Sequence, residues 1–375
     1  MHNDKIHVCH LVYCFDVGGL ERVVLNCINN LPSEKFRHSI ISLTNVGAFI
    51  TELPQSVEYH SLNKKSGNDP SIYFKLYRLL KQIKPDVLHS YNLATIEYQW
   101  IALLARVNLR VHAEHGRDTY DPNGSVKKYQ LIRRFCSHAI HRIISVSGDL
   151  DDWLSTDVKI PKNKLRLIKN GIDTHYFDRS CVEVEQRENP FKDKFVIGHV
   201  ARLHGIKNQM LLLESYELAC QQCADFNRDS VLVIVGDGPD REMLENYVSN
   251  SDVITENVHF EGARNNVHDY YTLFDIFAMS SIAEGIPMTL LESMSMSIPH
   301  LVTSVGGIKE VVIQGQTGLA VEPNDISEFC AGLIDLYSNT ELRDKMSINA
   351  RKRIVSEFNQ QIMMEQYTNI YLRKN

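Results

Sequence analysis

The chain has 375 residues, 43% hydrophobic and 23% charged, with 19 glycines, 11 prolines and eight cysteines; at ~100–200 residues per domain this is enough for two domains with a core each. That balance excludes collagen-like, disulfide-scaffold and disordered chains, and no apolar run approaches the ~20 residues of a transmembrane span. The net charge of −6 is uneven: residues 1–178 carry 23 lysines and arginines against 18 acids, and residues 179–375 carry 17 against 28. An acidic whole argues against a nucleic-acid partner, whereas a basic first half suits a phosphate-bearing substrate or an anionic lipid surface.

At the start, residues 1–12 break their apolar run with His2, Asp4, Lys5, His7 and His10, a pattern that argues against a signal peptide and for a cytoplasmic protein with reduced cysteines. In the first half, short β-branched runs at 6–12, 39–43, 86–89, 111–115 and 143–147 alternate with amphipathic segments. After Leu20 the apolar residues Val23, Val24, Cys27, Ile28 and Leu31 follow the stripe of a helix packed on a sheet. This βαβ rhythm predicts an α/β fold with a parallel sheet. Residues 179–193 turn polar and charged and read as a linker. Strands at 195–200, 231–235, 258–260, 276–279, 300–303 and 319–321 then repeat the rhythm in a second doubly wound domain at 194–355. Residues 356–375 are expected to form a C-terminal helix able to pack back on the first domain. Ligands of such sheets sit beyond the carboxyl ends of the strands, so two of them with facing crests would enclose a cleft.

The first strand runs into Asp16-Val17-Gly18-Gly19-Leu20. Paired glycines before a helix permit close approach to a phosphate, but they also serve a plain tight turn. The basic stretch Lys127-Lys128-Tyr129-Gln130-Leu131-Ile132-Arg133-Arg134-Phe135 has two readings. It is either a core helix with a solvated basic face or a peripheral attachment to anionic membrane. Asp149-Leu150-Asp151-Asp152 has a D-x-D pattern but reads as an acidic helix start. Cys220 and Cys223 form a C-x-x-C without a second pair and read as ordinary helical thiols.

Beyond the strand at 195–200, Arg202 and Lys207 stand five residues apart, an arrangement suited to a diphosphate or to two solvated cations. Gly236-Asp237-Gly238-Pro239 fails the dinucleotide fingerprint because Arg241 takes the last glycine position. In Glu284-Gly285-Ile286-Pro287-Met288-Thr289-Leu290-Leu291-Glu292, Pro287 suits a first helical turn. That leaves Glu284 in the loop and Glu292 in the helix, each able to accept from sugar hydroxyls or to serve as a plain surface acid.

Together, Gly18-Gly19, Arg202 with Lys207, the E-x7-E pair Glu284 and Glu292, and Gly306-Gly307 with Glu310, Gly315 and Gly318 resemble the retaining GT-B glycosyltransferases of family 4. Asn170-Gly171-Ile172-Asp173 resembles them as well. Phe15 to Arg22 and Glu114-His115-Gly116-Arg117-Asp118 are similar to bacterial polysaccharide-assembly members. The resemblance implies two facing Rossmann-like domains and hexosyl transfer from a nucleotide sugar, UDP favoured and GDP the alternative. The implied acceptor is a glycan or lipid-linked glycan, the configuration is retained, and no metal or other cofactor takes part. Catalytic roles would fall to His115 and Glu284. Arg202 and Lys207 would hold the diphosphate, with Gly18 and Gly19 approaching it. Ile286, Pro287, Met288 and Thr289 would line the donor site, with the main-chain N–H groups of Met288 and Thr289 holding phosphate, Glu292 would bind ribose, and Arg264 would line the base pocket. Ala201 and Ser293 depart from the usual glycine and alanine. A sugar-nucleotide epimerase, a phosphorylase or a non-catalytic glycan-binding subunit is the competing expectation on the same fold.

Overall fold

The computed structural model describes residues 5–16, 18–44, 47–118, 120–181 and 190–373. The chain divides into two units, one formed by Met1–Asn170 with Gln361–Asn375 and the other by Gly171–Gln360.

The first unit is a seven-stranded sheet of β1 (Ile6–Val12), β2 (Phe36–Ser42), β3 (Glu58–Ser61), β4 (Val87–Tyr91), β5 (Leu109–Glu114), β6 (Arg142–Ser145) and β7 (Leu165–Leu167), in the order β3-β2-β1-β4-β5-β6-β7. Every neighbouring pair is parallel, so each connection must cross a face, and helices bury both sides. In the helix Gly19–Asn30 the predicted stripe Val23, Val24, Cys27 and Ile28 is buried. One core joins Cys9, Leu11, Ile41 and Leu88 to Ile72, Leu76 and Leu80, and another gathers Ile143, Val146, Leu150, Trp153 and Leu165.

The second unit is a six-stranded parallel sheet of β8 (Phe195–Val200), β9 (Ser230–Val235), β10 (Val258–Gly262), β11 (Ile276–Met279), β12 (His300–Thr303) and β13 (Gly318–Val321), ordered β10-β9-β8-β11-β12-β13. All six occur where the apolar runs predict them. Both sheets reverse direction beside their first strand, and the predicted site residues follow β1, β5, β8, β10 and β11.

Two features differ from expectation. Residues 171–178 group with the second unit, because Arg351 donates to the carbonyls of Thr174 and Phe177 at 2.8 Å each and pairs with Asp178 at 2.6 Å. Of the expected linker 179–193, residues 182–189 lie outside the described residues. The C-terminal segment is not one helix over 356–375: helix Thr340–Glu357 ends, Ile172 bridges to Asn359, and a new helix runs Gln360–Tyr371. Among the described residues no helix is long and apolar enough to cross a membrane.

Candidate active site

In the second unit the chain leaves β8 at Val200 and passes Ala201, Arg202 and Leu203. The Arg202 side chain is exposed. Gly236 and Gly238, after β9, press on this stretch: a Cβ at Gly236 (φ +142°) would lie 1.9 Å from the Ala201 carbonyl oxygen, and the Leu203 amide donates to the Asp237 carbonyl at 3.0 Å. The Gly-Asp-Gly signal is therefore a close backbone approach that shapes the Arg202 loop.

Lys207 ends a single 3-10 turn, Gly205–Lys207. The Ser280 hydroxyl donates to its carbonyl at 3.0 Å and the Ile282 amide to that of Ile206 at 2.8 Å, lacing the loop after β11 to the loop after β8. This lacing brings Lys207 Nζ to Glu284 Oε1 at 2.5 Å, and the Ser281 hydroxyl donates to the same oxygen at 2.7 Å. The two charged side chains are 22% and 10% exposed. Among the described residues Glu284 Oε2 has no hydrogen-bond partner and remains an open acceptor. The Glu284 backbone is fixed by the loop after β12: Gly306 (φ +47°) comes so close that a Cβ there would sit 2.1 Å from the Glu284 carbonyl oxygen, and Gly307 donates to that oxygen at 3.3 Å. Only glycine satisfies both the left-handed φ and this approach.

The helix Met288–Ser295 follows, with Pro287 as its N-cap rather than inside its first turn. Ile286, Pro287 and Met288 are buried and Thr289 is half-buried. What this turn can offer a ligand is main-chain N–H: the first amides of a helix lack intrahelical acceptors and lie at its positive end. Glu292 is only 7% exposed and accepts from the Tyr271 hydroxyl at 2.8 Å; burial, then the Glu292 charge, pushes that phenol well up. Nothing in the sequence pairs Tyr271 with Glu292, since they lie 21 residues apart on different elements. Ser293 ties the same helix to β12 through His300 Nε2 at 2.8 Å. Arg264 is turned to Glu261 (3.2 Å), which also accepts from Tyr270 at 2.7 Å, and it takes no part in the Lys207–Glu284 or Tyr271–Glu292 contacts.

In the first unit, Gly18 caps the helix Gly19–Asn30 in extended backbone. Glu21 folds back over it, with Oε2 2.3 Å from where a Gly18 Cβ would lie. Burial, aided by Asp16, pushes Glu21 up to about 7. The helix start that the glycines offer to a phosphate is thus already faced by a carboxyl of this chain, a capping-box spacing legible in Gly18-Gly19-Leu20-Glu21. His115 follows β5. Its amide donates to Asn92 Oδ1 at 2.8 Å, and its ring centroid lies 5.7 Å from that of Tyr91. Among the described residues Nε2 is buried without a partner, and burial pulls the imidazole down to about 4, leaving it neutral.

The basic stretch departs from the core-helix reading. In helix Lys127–Cys136 the buried face is Gln130, Arg133 and Cys136, while Leu131 and Phe135 are 61% and 64% exposed on the face that carries Lys127, Lys128 and Arg134. Arg133 goes inside because Glu114 and Asp118 neutralise it. Asp149 and Asp151 sit in the first turn of helix Gly148–Thr156; Asp149 pairs with Arg117 at 2.7 Å and Asp151 accepts from Ser145 at 2.6 Å. Cys220 is buried within helix Gln209–Gln222, where burial pushes its thiol up to about 12, and Cys223 caps that helix. Among the described residues no cluster of three or more His, Cys, Asp or Glu side chains is arranged to hold a metal ion.

Comparison with known proteins agrees across the whole chain. Residues 17–176 match the model "Glycosyltransferase Family 4" and residues 182–353 the model "Glycosyl transferases group 1". The UDP-Gal:alpha-D-GlcNAc-diphosphoundecaprenol alpha-1,3-galactosyltransferase of Escherichia coli is 27% identical, over 99% of this chain and 97% of its own. The N-acetyl-alpha-D-glucosaminyl L-malate synthase of Bacillus anthracis is 25% identical, over 84% and 82%. Among solved structures, Anabaena Alr3699/HepE in complex with UDP and glucose superposes with a TM-score of 0.83 at 18% identity, over 99% of this chain and 100% of that one. The chain is therefore a glycosyltransferase of the GT-B fold and belongs to the family that joins a family 4 amino-terminal domain to a group 1 carboxy-terminal domain.

Proposed function

We propose that the protein transfers a hexosyl group, galactosyl as the first candidate, from a UDP-sugar to a lipid-diphosphate-linked glycan. The transfer would retain anomeric configuration and serve assembly of a bacterial surface polysaccharide. The observation that carries this reading is the Lys207–Glu284 pair with its open carboxylate oxygen, beside the exposed Arg202 and the start of helix Met288–Ser295. A nucleoside diphosphate brings negative charge, which Arg202, Lys207 and the amides of Met288 and Thr289 offset as the leaving group departs. Glu284 Oε2 accepts from a sugar hydroxyl, Glu292 holds the ribose, the Arg264 loop lines the base, and the Gly18-Gly19 turn and neutral His115 serve the sugar end. In a front-face transfer the anomeric carbon loses its bond to the phosphate oxygen and gains one to the acceptor oxygen, whose proton passes to the departing phosphate. No metal is assigned a step.

The test is transfer from UDP-galactose to an N-acetylglucosaminyl diphospholipid in EDTA, with the product's anomeric configuration read by NMR and UDP-glucose and GDP-mannose run in parallel. A retained α-linkage in EDTA is expected. UDP affinity should fall about 10-fold or more in Arg202→Ala, from a lost charge-assisted contact of about 1.5–3 kcal/mol. An inverted product, or turnover only with a divalent ion, defeats the mechanism.

The exposed Leu131 and Phe135 between Lys127, Lys128 and Arg134 suit the surface of an anionic bilayer, at roughly 1 kcal/mol per basic residue near it. Cosedimentation with phosphatidylglycerol vesicles at low salt, weakened by high salt and by Leu131→Ser/Phe135→Ser, is the expected result. No binding at low salt removes membrane contact from the proposal.

A further inference from the structure

The loop that carries His115 is held by a buried ionic triad. Arg133, 1% exposed, donates through Nε to Glu114 Oε1 at 2.7 Å and through Nη2 to Glu114 Oε2 at 3.2 Å and Asp118 Oδ2 at 2.9 Å. Its guanidinium lies over Trp153, 5.1 Å from the ring centroid, and the indole is itself fixed by donation from Nε1 to the Gly124 carbonyl at 3.0 Å. Glu114 also lies 3.3 Å from His112 Nε2, and His112 Nδ1 lies 2.8 Å from the Ser90 hydroxyl. Burial pushes the Glu114 carboxyl up, but the charges and hydrogen bonds of Arg133 and His112 together outweigh it and hold it at about 2.

One cation thus grips the residue before His115 and the residue three beyond it, while Asn92 holds the His115 amide. A buried triad is a poor device for stability alone, because its desolvation cost consumes most of the attraction and apolar side chains of equal volume often do as well. Its distinctive product is geometry: a planar fork can fix two carboxylates, and the chain between them, in one arrangement. We propose that Arg133 is a positioning residue whose grip on Glu114 and Asp118 aims the His115 imidazole. This rests on the role given to His115 above and adds the residue that holds it in place. Arg133 never meets substrate and acts through the loop.

The test compares Arg133→Met, Arg133→Lys and the double variant Glu114→Gln/Arg133→Met, the last removing both charges so that no carboxylate at 114 is left without its cation. Each is measured for thermal midpoint, UDP affinity, donor KM and kcat with UDP-galactose, and hydrogen exchange of the amides at 114–118. The folded double variant is expected to lose about 100-fold in kcat, the scale of a misplacement near 1 Å. Donor KM and UDP affinity should stay within about twofold, and exchange should quicken at 114–118. Arg133→Lys should recover part of the loss, since an ammonium spans the two carboxylates less well. Parental kcat in the folded double variant overturns the proposal, as does lost kcat with unchanged exchange at 114–118. His115→Ala, run alongside, separates the claims: parental turnover there removes the role of His115, while the exchange result still decides whether Arg133 pins the loop.

Discussion

Glu284→Gln and His115→Ala should each lower kcat by about 100-fold, the scale of losing one oriented electrostatic contact, while UDP still binds. The Lys207–Glu284 pair makes the first effect large. Glu284 Oε1 is already committed to Lys207 and Ser281, and Oε2 is the acceptor left for a sugar hydroxyl. Glutamine keeps the shape but has only one acceptor oxygen. If that oxygen faces Lys207, an NH2 group faces the sugar; if it faces the sugar, the NH2 meets an ammonium. The first exchange replaces the carboxylate acceptor for the sugar by a donor, the second sets a donor against a donor, and in both the Lys207 charge loses its local counterion. Contacts that strengthen as the glycosidic bond breaks appear in kcat, so the effect should fall there. Glu292, turned to Tyr271 and far along the nucleotide in the proposed donor pose, should act the other way: Glu292→Gln raises donor KM with a smaller change in kcat. Steady-state kinetics with UDP-galactose, paired with calorimetric UDP titration, separates these. Parental turnover in His115→Ala would return His115 to a structural role, and parental turnover in Glu284→Gln as well would remove the proposed chemistry.

How far these residues are legible from sequence depends on which interactions local patterning reports. The buried parallel strands are near-continuous apolar runs, so β1 and β8 to β13 stand where the runs predict them. The two strands without such runs, β3 (Glu-Tyr-His-Ser) and β7 (Leu-Arg-Leu), are short and lie at the sheet edges. There, half a strand's backbone faces no partner and selection for apolar side chains is weak. The site loops are legible because glycines, Arg202, Lys207 and the E-x7-E pair each sit just past a strand. Their partners are not: Lys207 and Glu284 meet across 77 residues, Tyr271 and Glu292 across 21, and no local period encodes such pairings. The helix at 127–136 shows the limit most plainly. Periodicity assigns arginine to solvent, yet Arg133 is buried because carboxylates 15 and 19 residues earlier neutralise it. Leu131 and Phe135 then take the outer face.

Acidification below pH ~6.5 should destabilise the first unit before carboxylates of ordinary pKa titrate. A chain of buried histidines crosses β1, β2 and β4: His10 Nε2 lies 3.0 Å from His38 Nδ1, His10 Nδ1 lies 2.7 Å from the Tyr91 hydroxyl, and His89 Nδ1 lies 3.0 Å from Tyr91 and 2.7 Å from Tyr371 of the last helix. His7 joins beside them through Ser39 at 2.8 Å. Burial pulls His7 and His38 down to about 4 and His10 and His89 well below the usual 6.5. Glu21, raised to about 7, takes up its proton in the folded chain and opposes the trend, but the four histidines outnumber it, so the unfolded chain binds more protons below pH ~6.5 and stability falls from there toward 4. Each such histidine removes up to about 1.4 kcal/mol per pH unit, so His7 or His38 alone accounts for up to about 3 kcal/mol over that window, a sizeable share of a typical ~5–15 kcal/mol total. The Glu114 carboxyl, held at about 2, adds its loss only below ~4.5. Both tryptophans, Trp100 and Trp153, lie in this unit, so urea unfolding followed by indole fluorescence reports it alone. The midpoint should drop steeply between pH 7.5 and 5.0, and His38→Gln should flatten the slope. Equal midpoints at the two pH values would mean that the histidine chain is hydrated and charges freely in the folded protein.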